Sequence, residues 1–316
     1  MNKYLYHYTS TDTFVEMLKK MHDEKSSYLT FWASNIHYMN DPHELEFLYD
    51  ELVRVLPEIE KELEIKDMPF SAFSFPKNNE MGLSLNLEHD VLDNVFNKIY
   101  KSAYAISFSQ REDYMPMWAL YGNNGNGLCL KFDYELLKEY VAGEGAKDFG
   151  RRIIEIKYNI KDVAVWEKIK SFYLEYYQMK EDSTVDNNPL VFRRSFIAQV
   201  LLELSPSMKH QSYDYEEEVR FFDHIIYPGD ADDIVKMTKV RELDKKYNKV
   251  SDPKVRVKNG LLIPYKEIKI PIKCLSSVII GPTVNPKLQC EAMDTFFRSL
   301  NLDLEVTPST VPFRQL

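Results

Sequence analysis

The chain has 316 residues, of which 44% are hydrophobic and 28% charged, and this balance excludes a disordered protein. Its net charge of −9 argues against the broad basic face that non-specific nucleic-acid binding requires. No run approaches the roughly 18 apolar residues of a membrane span, and the N-terminus lacks the apolar core of a secretory signal. Three widely spaced cysteines then predict a reduced, cytoplasmic protein that makes no membrane contact.

Strands and helices are predicted to be interleaved along the whole chain. LYHYTS, at 5–10, predicts a short strand, and Thr11 or Asp12 can cap the helix that follows it. Asn40-Asp41-Pro42 predicts a turn and the start of a charged helix. The predicted helices are 11–25, 43–66, 88–102, 117–122, 134–141, 166–180, 192–205 and 286–300. The predicted strands are 27–34, 103–109, 127–133, 153–159, 216–226, 276–282 and 303–309, with a hairpin over 254–265 around Asn259-Gly260.

The fold class follows from this order of elements. Neither G-x-G-x-x-G nor G-K-[ST] occurs, so a Rossmann or P-loop fold is unsupported. We predict one mixed α+β domain over 1–316, with a mostly antiparallel sheet and helical insertions at about 43–102 and 162–205.

An acidic triplet followed by an arginine is the most unusual polar pattern. On a strand, alternate residues face the same way, which would place Glu216, Glu218 and Arg220 on one face and Glu217 on the other. Two neighbouring carboxylates perturb each other's ionisation unless a cation compensates, as catalytic acids require. An exposed edge strand with a structural ladder of ion pairs is the competing interpretation.

Other strands also end in polar side chains. His7 and Thr9 close the first strand, Ser34 and Tyr38 follow the second, and Ser107 and Ser109 share a face of the third. Each has an ordinary structural interpretation as a capped turn or a hydroxyl bonded to neighbouring backbone.

The order of these polar strand ends resembles the ADP-ribosyltransferase superfamily. Nearly the whole chain also resembles a bacterial family of unknown function thought to be related to those transferases. The residues that carry this second resemblance are HYTS, FWASNIHYMNDPHE, SFSQREDYMPMWALYG, GLCLKFD, YEEEVRFF, GLLIPY, VIIGP and STVPFR. The resemblance implies a split sheet, NAD as a substrate, no metal, and transfer of ADP-ribose to a protein or nucleic acid. It also implies a toxin or phage-defence effector, with an antitoxin or regulatory partner.

The resemblance assigns the first motifs to NAD binding. His7 would hydrogen-bond the adenosine-side ribose, with Thr9 beside it. Tyr38 would stack on the nicotinamide, and Trp32 is the second candidate for that role. The matching motifs add Tyr8, Ser34 and Trp118 to the expected binding residues.

The later motifs would supply the catalytic group. Ser107 and Ser109 would brace the cleft and the acid. Glu218 would bind the nicotinamide-side ribose and Glu216 would act toward the acceptor, although Glu217 could be the true counterpart. The sequence departs from the family patterns because it joins a histidine-type first strand to a serine-type third strand, and 50–100 has no clear counterpart.

The implied chemistry is a glycosidic cleavage that creates positive charge on the ribose, which a carboxylate stabilises. Arg220, Arg111 or Arg314 could bind the pyrophosphate, because guanidinium groups bind phosphate through paired hydrogen bonds.

Two other functions stay open at this point. The fold could bind NAD, ADP-ribose or another nucleotide as a non-catalytic sensor. It could also be a hydrolase or nuclease, since Glu64-Ile65-Lys66 matches the Glu-x-Lys fragment of metal-dependent nucleases, although a solvated helix face explains it as well. Metal dependence would separate the nuclease from the transferase.

Overall fold

A computed structural model describes a chain built from two compact units. The first unit holds Met1–Asn35, Ala103–Glu155 and Asp214–Leu316, and the second holds Ile36–Ser102 and Ile156–Tyr213. The predicted insertions at 43–102 and 162–205 fall within the second unit, and the single domain over 1–316 stays a prediction. The structure describes residues 3–39, 41, 47–67, 69–72, 103–143, 151–182, 189–224, 253–258, 260–282 and 285–312.

The strands described in the first unit form one sheet. They are β1 Tyr4–Thr9, β2 Tyr28–Asn35, β3 Ala103–Ser109, β4 Leu128–Asp133, β5 Arg152–Glu155, β6 Glu218–His224, β7 Lys254–Lys258, β8 Leu261–Pro271, β9 Leu275–Ile280 and β10 Glu305–Pro308. The main order is β10-β9-β4-β1-β3-β2-β8-β7, and β6 joins β3 with β5 outside it. Among these strands β9 and β10 pair in parallel and the other neighbours are antiparallel. The predicted mixed α+β fold with a mostly antiparallel sheet is confirmed.

Helices occur in both units. In the first unit they are α1 Thr11–Asp23, α3 Met115–Leu120, α4 Tyr134–Ala142 and α7 Pro286–Ser299. In the second they are α2 Phe47–Glu62, α5 Val163–Asp182 and α6 Pro189–Leu204.

Several predicted boundaries are corrected by the structure. Ser10, rather than Thr11 or Asp12, caps α1, because its hydroxyl oxygen accepts a hydrogen bond from the Thr13 amide. The strand predicted at 153–159 is shorter and lies at β5. The helix predicted to reach 66 ends at Glu62, and the helix predicted at 88–102 lies outside the described residues.

The sheet has two faces with different roles. The core face carries Leu5, Phe31 and Phe108, which pack with residues of α1, α4 and α7 in the main hydrophobic cluster. Burial of each such side chain contributes about 1.5–3 kcal/mol, so this face is the main source of stability. The opposite face, here called the polar face, carries Ser107, Ser109, Glu218 and Arg220. Tyr8 and Trp118 of α3 pack in a smaller cluster on the same side.

The second unit has its own core. Phe70 packs against Tyr173 and Phe196, and the buried carboxylate of Glu60 accepts hydrogen bonds from the Tyr173 hydroxyl at 2.9 Å and from the Ser71 amide at 2.8 Å. Both carboxylate oxygens of Glu60 accept hydrogen bonds from Ser71 or Tyr173, so we assign the cluster to stability.

Candidate functional site

The sheet forks at β3. Ser109 pairs with Tyr6 of β1, whereas Ala105 pairs with Ser34 of β2. Because β6 occupies the other edge of β3 along its whole length, β1 and β2 must share one edge and separate along it. We call the gap between β1 and β2, opposite Ser107, the fork.

His7 occupies the fork. Its Nδ1 lies 2.8 Å from the carbonyl oxygen of Ser107, and its ring lies 5.3 Å from Phe31 and 5.7 Å from Phe108 between centroids. A carbonyl only accepts, so Nδ1 carries the proton. Burial lowers the pKa of His7 and the hydrogen bond to Ser107 offsets only part of this effect. The imidazole is therefore neutral at pH 7, and its Nε2 presents a lone pair.

The acid on the other side of Ser107 is Glu218. The Ser107 hydroxyl donates to Glu218 Oε1 at 2.6 Å, and Arg220 donates from Nε to Oε1 at 2.8 Å and from Nη2 to Oε2 at 2.9 Å. Glu218 is 3% exposed and Arg220 is fully buried. Arg220 and Glu218 thus form a bidentate ion pair that is shielded from water. Removing either partner would leave a buried, unpaired charge and lower the free energy of unfolding.

His7 and Glu218 approach Ser107 from opposite faces of the sheet. Tyr6 lies opposite Ser109 and so shares the polar face, which puts His7 on the core face with its ring partners. His7 reaches the carbonyl of Ser107 and Glu218 reaches its hydroxyl. The two side chains are therefore linked through one residue of β3, from opposite faces of the sheet.

The acidic triplet does not form the predicted strand face. Glu216 ends a 3-10 helix over Gln211–Glu216, and β6 begins only at Glu218. Glu217 between them has a φ of 40°, in the left-handed region that non-glycine residues rarely adopt. Glu218 and Arg220 do share a face, but β6 lies between β3 and β5 and both side chains are buried, so the exposed edge-strand interpretation is wrong.

The three acids consequently have three different partners. The Tyr121 hydroxyl donates to Glu216 Oε1 at 2.6 Å, and Glu216 is 3% exposed. Glu217 Oε1 lies 2.6 Å from Arg111 Nη2 in a pair whose side chains are 38% and 45% exposed. Glu217 is the one acid of the triplet that faces solvent, and Glu218 is the one bonded to a predicted bracing serine.

Two predicted binding residues hold the loop after β3. The Tyr8 hydroxyl donates to the Arg111 carbonyl at 2.8 Å and accepts from the Tyr114 amide at 3.0 Å. The buried Ser109 hydroxyl donates to the Glu216 carbonyl at 2.6 Å and accepts from the Arg111 amide at 3.0 Å. Tyr8 thereby fixes the loop after β3, and Ser109 ties that loop to the backbone two residues before Glu218, so both have positioning roles.

Burial disfavours two further predicted contacts with NAD. Trp118 is fully buried, stacks edge-on against Tyr8 at 5.0 Å, and donates from Nε1 to Asp113 at 2.8 Å. Thr9 is 9% exposed. In this structure neither side chain offers a ligand an open surface.

The remaining predicted residues differ in position. Ser34 accepts a hydrogen bond from Arg256 Nη2 at 2.8 Å on the second strand of the fork. Tyr38 ends a short 3-10 helix in the second unit, where it is 36% exposed, and its stacking role stays a prediction. Of the three arginines proposed for pyrophosphate, Arg220 is buried against Glu218, Arg314 lies outside the described residues, and Arg111 is accessible.

Sequence reasoning missed the role of Asp113. Its carboxylate accepts hydrogen bonds from Trp118 Nε1, from the Ser309 hydroxyl, and from the amide and hydroxyl of Thr310 at 2.7 and 2.8 Å. Burial alone would raise the pKa of Asp113, but these hydrogen bonds outweigh it and hold the pKa below its ordinary value. Only the presence of both SFSQREDY and STVPFR among the quoted motifs hinted that these distant segments meet.

Two general properties bear on the site. In the part of the chain that the structure describes, no three His, Cys, Asp or Glu residues cluster as metal ligands would. The described helices include none that is both long and apolar enough to cross a membrane.

The nuclease fragment at Glu64 lies beyond the end of α2, where Glu64 has a φ of 55°, and not within the predicted helix.

A family model described as "Protein of unknown function (DUF2971)" matches residues 117–221 of the chain. The matched stretch, about a third of the sequence, begins in α3 and ends in β6, so it contains the acidic triplet and Arg220. A domain of unknown function is therefore present there, and nothing in this match links it to ADP-ribosyltransferases. No curated protein and no solved structure matches the chain.

Proposed function

We propose that the protein binds NAD at the fork, cleaves its nicotinamide glycosidic bond, and transfers ADP-ribose to a protein or nucleic acid. The observation that supports this most is the set of contacts around Glu218. Its carboxylate is braced by the Ser107 hydroxyl at 2.6 Å and by the Arg220 guanidinium. Strand β6, which carries Glu218, pairs with the edge of β3 opposite the fork. A serine-braced acid is what the resemblance predicts for the catalytic group of these transferases.

The proposed reaction needs a fixed negative charge beneath the ribose. As the bond from the anomeric carbon to the nicotinamide nitrogen breaks, its electron pair leaves with nicotinamide and the ribose gains positive charge. Glu218 would stabilise that charge by accepting a hydrogen bond from a ribose hydroxyl. An acceptor nucleophile then bonds to the anomeric carbon and gives its proton to the carboxylate of Glu216, which also accepts a hydrogen bond from Tyr121.

Binding roles follow from exposure and charge. The lone pair on His7 Nε2 suits a ribose hydroxyl, because Nδ1 is already committed to the Ser107 carbonyl. Arg111 suits the pyrophosphate, since its guanidinium is accessible and its partner Glu217 is only a solvent-exposed carboxylate.

A non-catalytic NAD or ADP-ribose sensor is the second candidate, and one observation favours it. Glu218 is 3% exposed and both of its carboxylate oxygens are bonded to Arg220. A cleaving enzyme would have to uncover this carboxylate when NAD binds, whereas a sensor would not.

One experiment separates the candidates. NAD binding is measured by calorimetry and nicotinamide release by chromatography, for the wild-type protein, Glu218→Gln, and the control Glu135→Gln, which removes an exposed acid from α4. We expect release to fall on the order of a hundred-fold or more in Glu218→Gln and to be unchanged in Glu135→Gln. Binding without release would favour the sensor, and the absence of NAD binding would refute both.

The cellular role is proposed on the same basis. A toxin or phage-defence effector that modifies a macromolecule would arrest growth when expressed without its antitoxin or regulatory partner. Induced expression of the wild-type protein should then inhibit bacterial growth and Glu218→Gln should relieve the inhibition. Equal inhibition by both proteins would refute this role.

A further inference from the structure

We propose that the outer part of the polar face, around Trp32 and β7, binds single-stranded nucleic acid. The acceptor role of that nucleic acid rests on the proposed function, whereas the binding itself does not. We call this surface the Trp32 surface, and its members are Trp32, Ser34, Lys254, Arg256 and Lys258.

An exposed tryptophan marks the surface. Trp32 is 47% exposed, whereas Trp118 is fully buried and Trp166 is 8% exposed. Trp32 lies two residues before Ser34 on β2, and Ser34 pairs with Ala105 of β3, so the register puts Trp32 on the same face as Ser107. The indole packs on Tyr265 at 5.0 Å between ring centroids and is nearly half exposed. On the face that carries Glu218, its exposed part is suited to stack with a flat aromatic ring.

An arginine with an unmet donor lies against this indole. The guanidinium of Arg256 is 5.6 Å from the centre of the Trp32 ring, and its Nη2 donates to the Ser34 hydroxyl at 2.8 Å. Its Nε is buried and has no hydrogen-bond partner among the described residues. Burial also lowers the pKa of Arg256, an effect only partly offset by Tyr265. A phosphate bound to the partly exposed guanidinium would offset the desolvation of its charge.

The surrounding charge is positive although the chain as a whole carries −9. Lys254 and Lys258 flank Arg256 at alternate positions of β7 and therefore share its face. Among the described residues, the carboxylate of Glu267 lies 3.0 Å from Lys254 and 3.2 Å from Lys20. With the Lys269–Glu24 pair added, these described side chains comprise five cations and two carboxylates.

Single-stranded nucleic acid fits this combination better than a peptide does. Alternate strand residues are about 6.6–6.8 Å apart, a spacing close to that of successive phosphates in an extended strand. Bases stack on an exposed tryptophan with little sequence preference while basic side chains follow the backbone. A protein partner is the competing occupant, because the opposite face of β7 exposes Val255 and Val257 at 60% and 70%. The unmet donor and the cations, however, lie on the Trp32 face.

The test measures binding of fluorescein-labelled single-stranded DNA and RNA oligonucleotides by anisotropy, without NAD. We expect Trp32→Ala to weaken binding about five- to hundred-fold and Trp32→Phe to retain most of it, because a ring still stacks. Arg256→Gln and Lys254→Gln should weaken binding, and each should lower the slope of affinity against salt by about 0.7, the value for one lost phosphate contact. Lys287→Gln removes an exposed charge on α7 and should have no comparable effect.

Further outcomes keep the inference separate from the proposed function. Glu218→Gln should bind the oligonucleotides like the wild-type protein, even if NAD is never cleaved. The inference is wrong if the oligonucleotides do not bind, or if Trp32→Ala and Lys287→Gln have equal effects. It is also wrong if Trp32→Ala weakens NAD binding alone, or if it changes only self-association in sedimentation experiments.

Discussion

Strand β6 carries a buried acid on each of its faces, and the two acids have different kinds of partner. On the polar face Glu218 is bonded to Arg220 and to the Ser107 hydroxyl, next to the fork. On the core face Asp223 is bonded to two cations and lies in the pairing register opposite Tyr104.

The partners of Asp223 come from separate segments of the sheet. Arg151 Nε and Lys266 Nζ each lie 3.1 Å from its carboxylate, and Lys266 also lies 4.8 Å from the centre of the Tyr104 ring. All three charged side chains are 2–3% exposed. Burial alone therefore does not distinguish the candidate functional acid from a structural one. Asp223 cross-links the sheet, whereas Glu218 is bonded through a hydroxyl beside a gap in it.

The largest effect should come from Asp223→Ala. This change leaves two buried cations without their acid, and we expect the free energy of unfolding to fall by about 5 kcal/mol, the upper end of the range for a broken buried pair. Urea unfolding at pH 7 measures it. Glu135→Ala, which removes an exposed acid from α4, is the control and should cost less than about 0.5 kcal/mol. A small loss in Asp223→Ala would show that this cluster is not structural.

Arg220→Met should cost somewhat less, about 3–4 kcal/mol, because it leaves a single buried carboxylate unpaired. The double variant Glu218→Gln with Arg220→Met should recover at least half of that loss, since no buried charge then remains. Urea unfolding of the single and double variants gives the coupling. Additive losses in the double variant would contradict the assignment of Glu218 and Arg220 as one ion pair.

Asp113→Asn tests a third acid, which is tied to the C-terminal segment rather than to a cation. Asn keeps the side-chain shape and tolerates the φ of 44° at this position, but it cannot accept all four hydrogen bonds. We expect a loss of about 1.5–3 kcal/mol and faster proteolysis near Ser309. Because the pKa of Asp113 lies below its ordinary value of 3.8, its contribution is present above pH 3.8 and is lost as the pH falls through the folded-state value. If the wild-type protein is cleaved near Ser309 as rapidly as Asp113→Asn at pH 7, Asp113 does not hold the C-terminal segment in place.

The smallest effect should come from His7, which bonds to the Ser107 carbonyl. The pKa of His7 lies below its ordinary value of 6.5, so the neutral imidazole contributes stability above that value and loses it as the pH falls toward the folded-state value. His7→Gln can keep a donor to the Ser107 carbonyl without titrating. Between about pH 7 and 5 the variant should lose less stability than the wild-type protein, by up to about 1 kcal/mol. Parallel pH profiles would contradict the inferred neutral state of His7.

The local patterns were sufficient for much of the fold. The strand predicted at 103–109 is β3 to the residue, and the hairpin predicted around Asn259-Gly260 is β7 and β8. These elements depend on contiguous β-forming residues and on a turn signal, both of which a short window contains. The pairing of Ser107 with Glu218 was expected only through the resemblance, because the two residues are 111 positions apart.

By itself, the sequence determined the element types, the mixed α+β class, and the alternation that puts Ser107 and Ser109 on one face. These properties follow from neighbours a few residues apart. Only the tertiary structure decided that Glu217 turns the chain, that His7 and Glu218 meet Ser107 from opposite faces, and that Arg256 lies over Trp32. Those contacts depend on strand order, register and the fork in the sheet, which are set by packing between distant segments and leave no periodic signal in the chain.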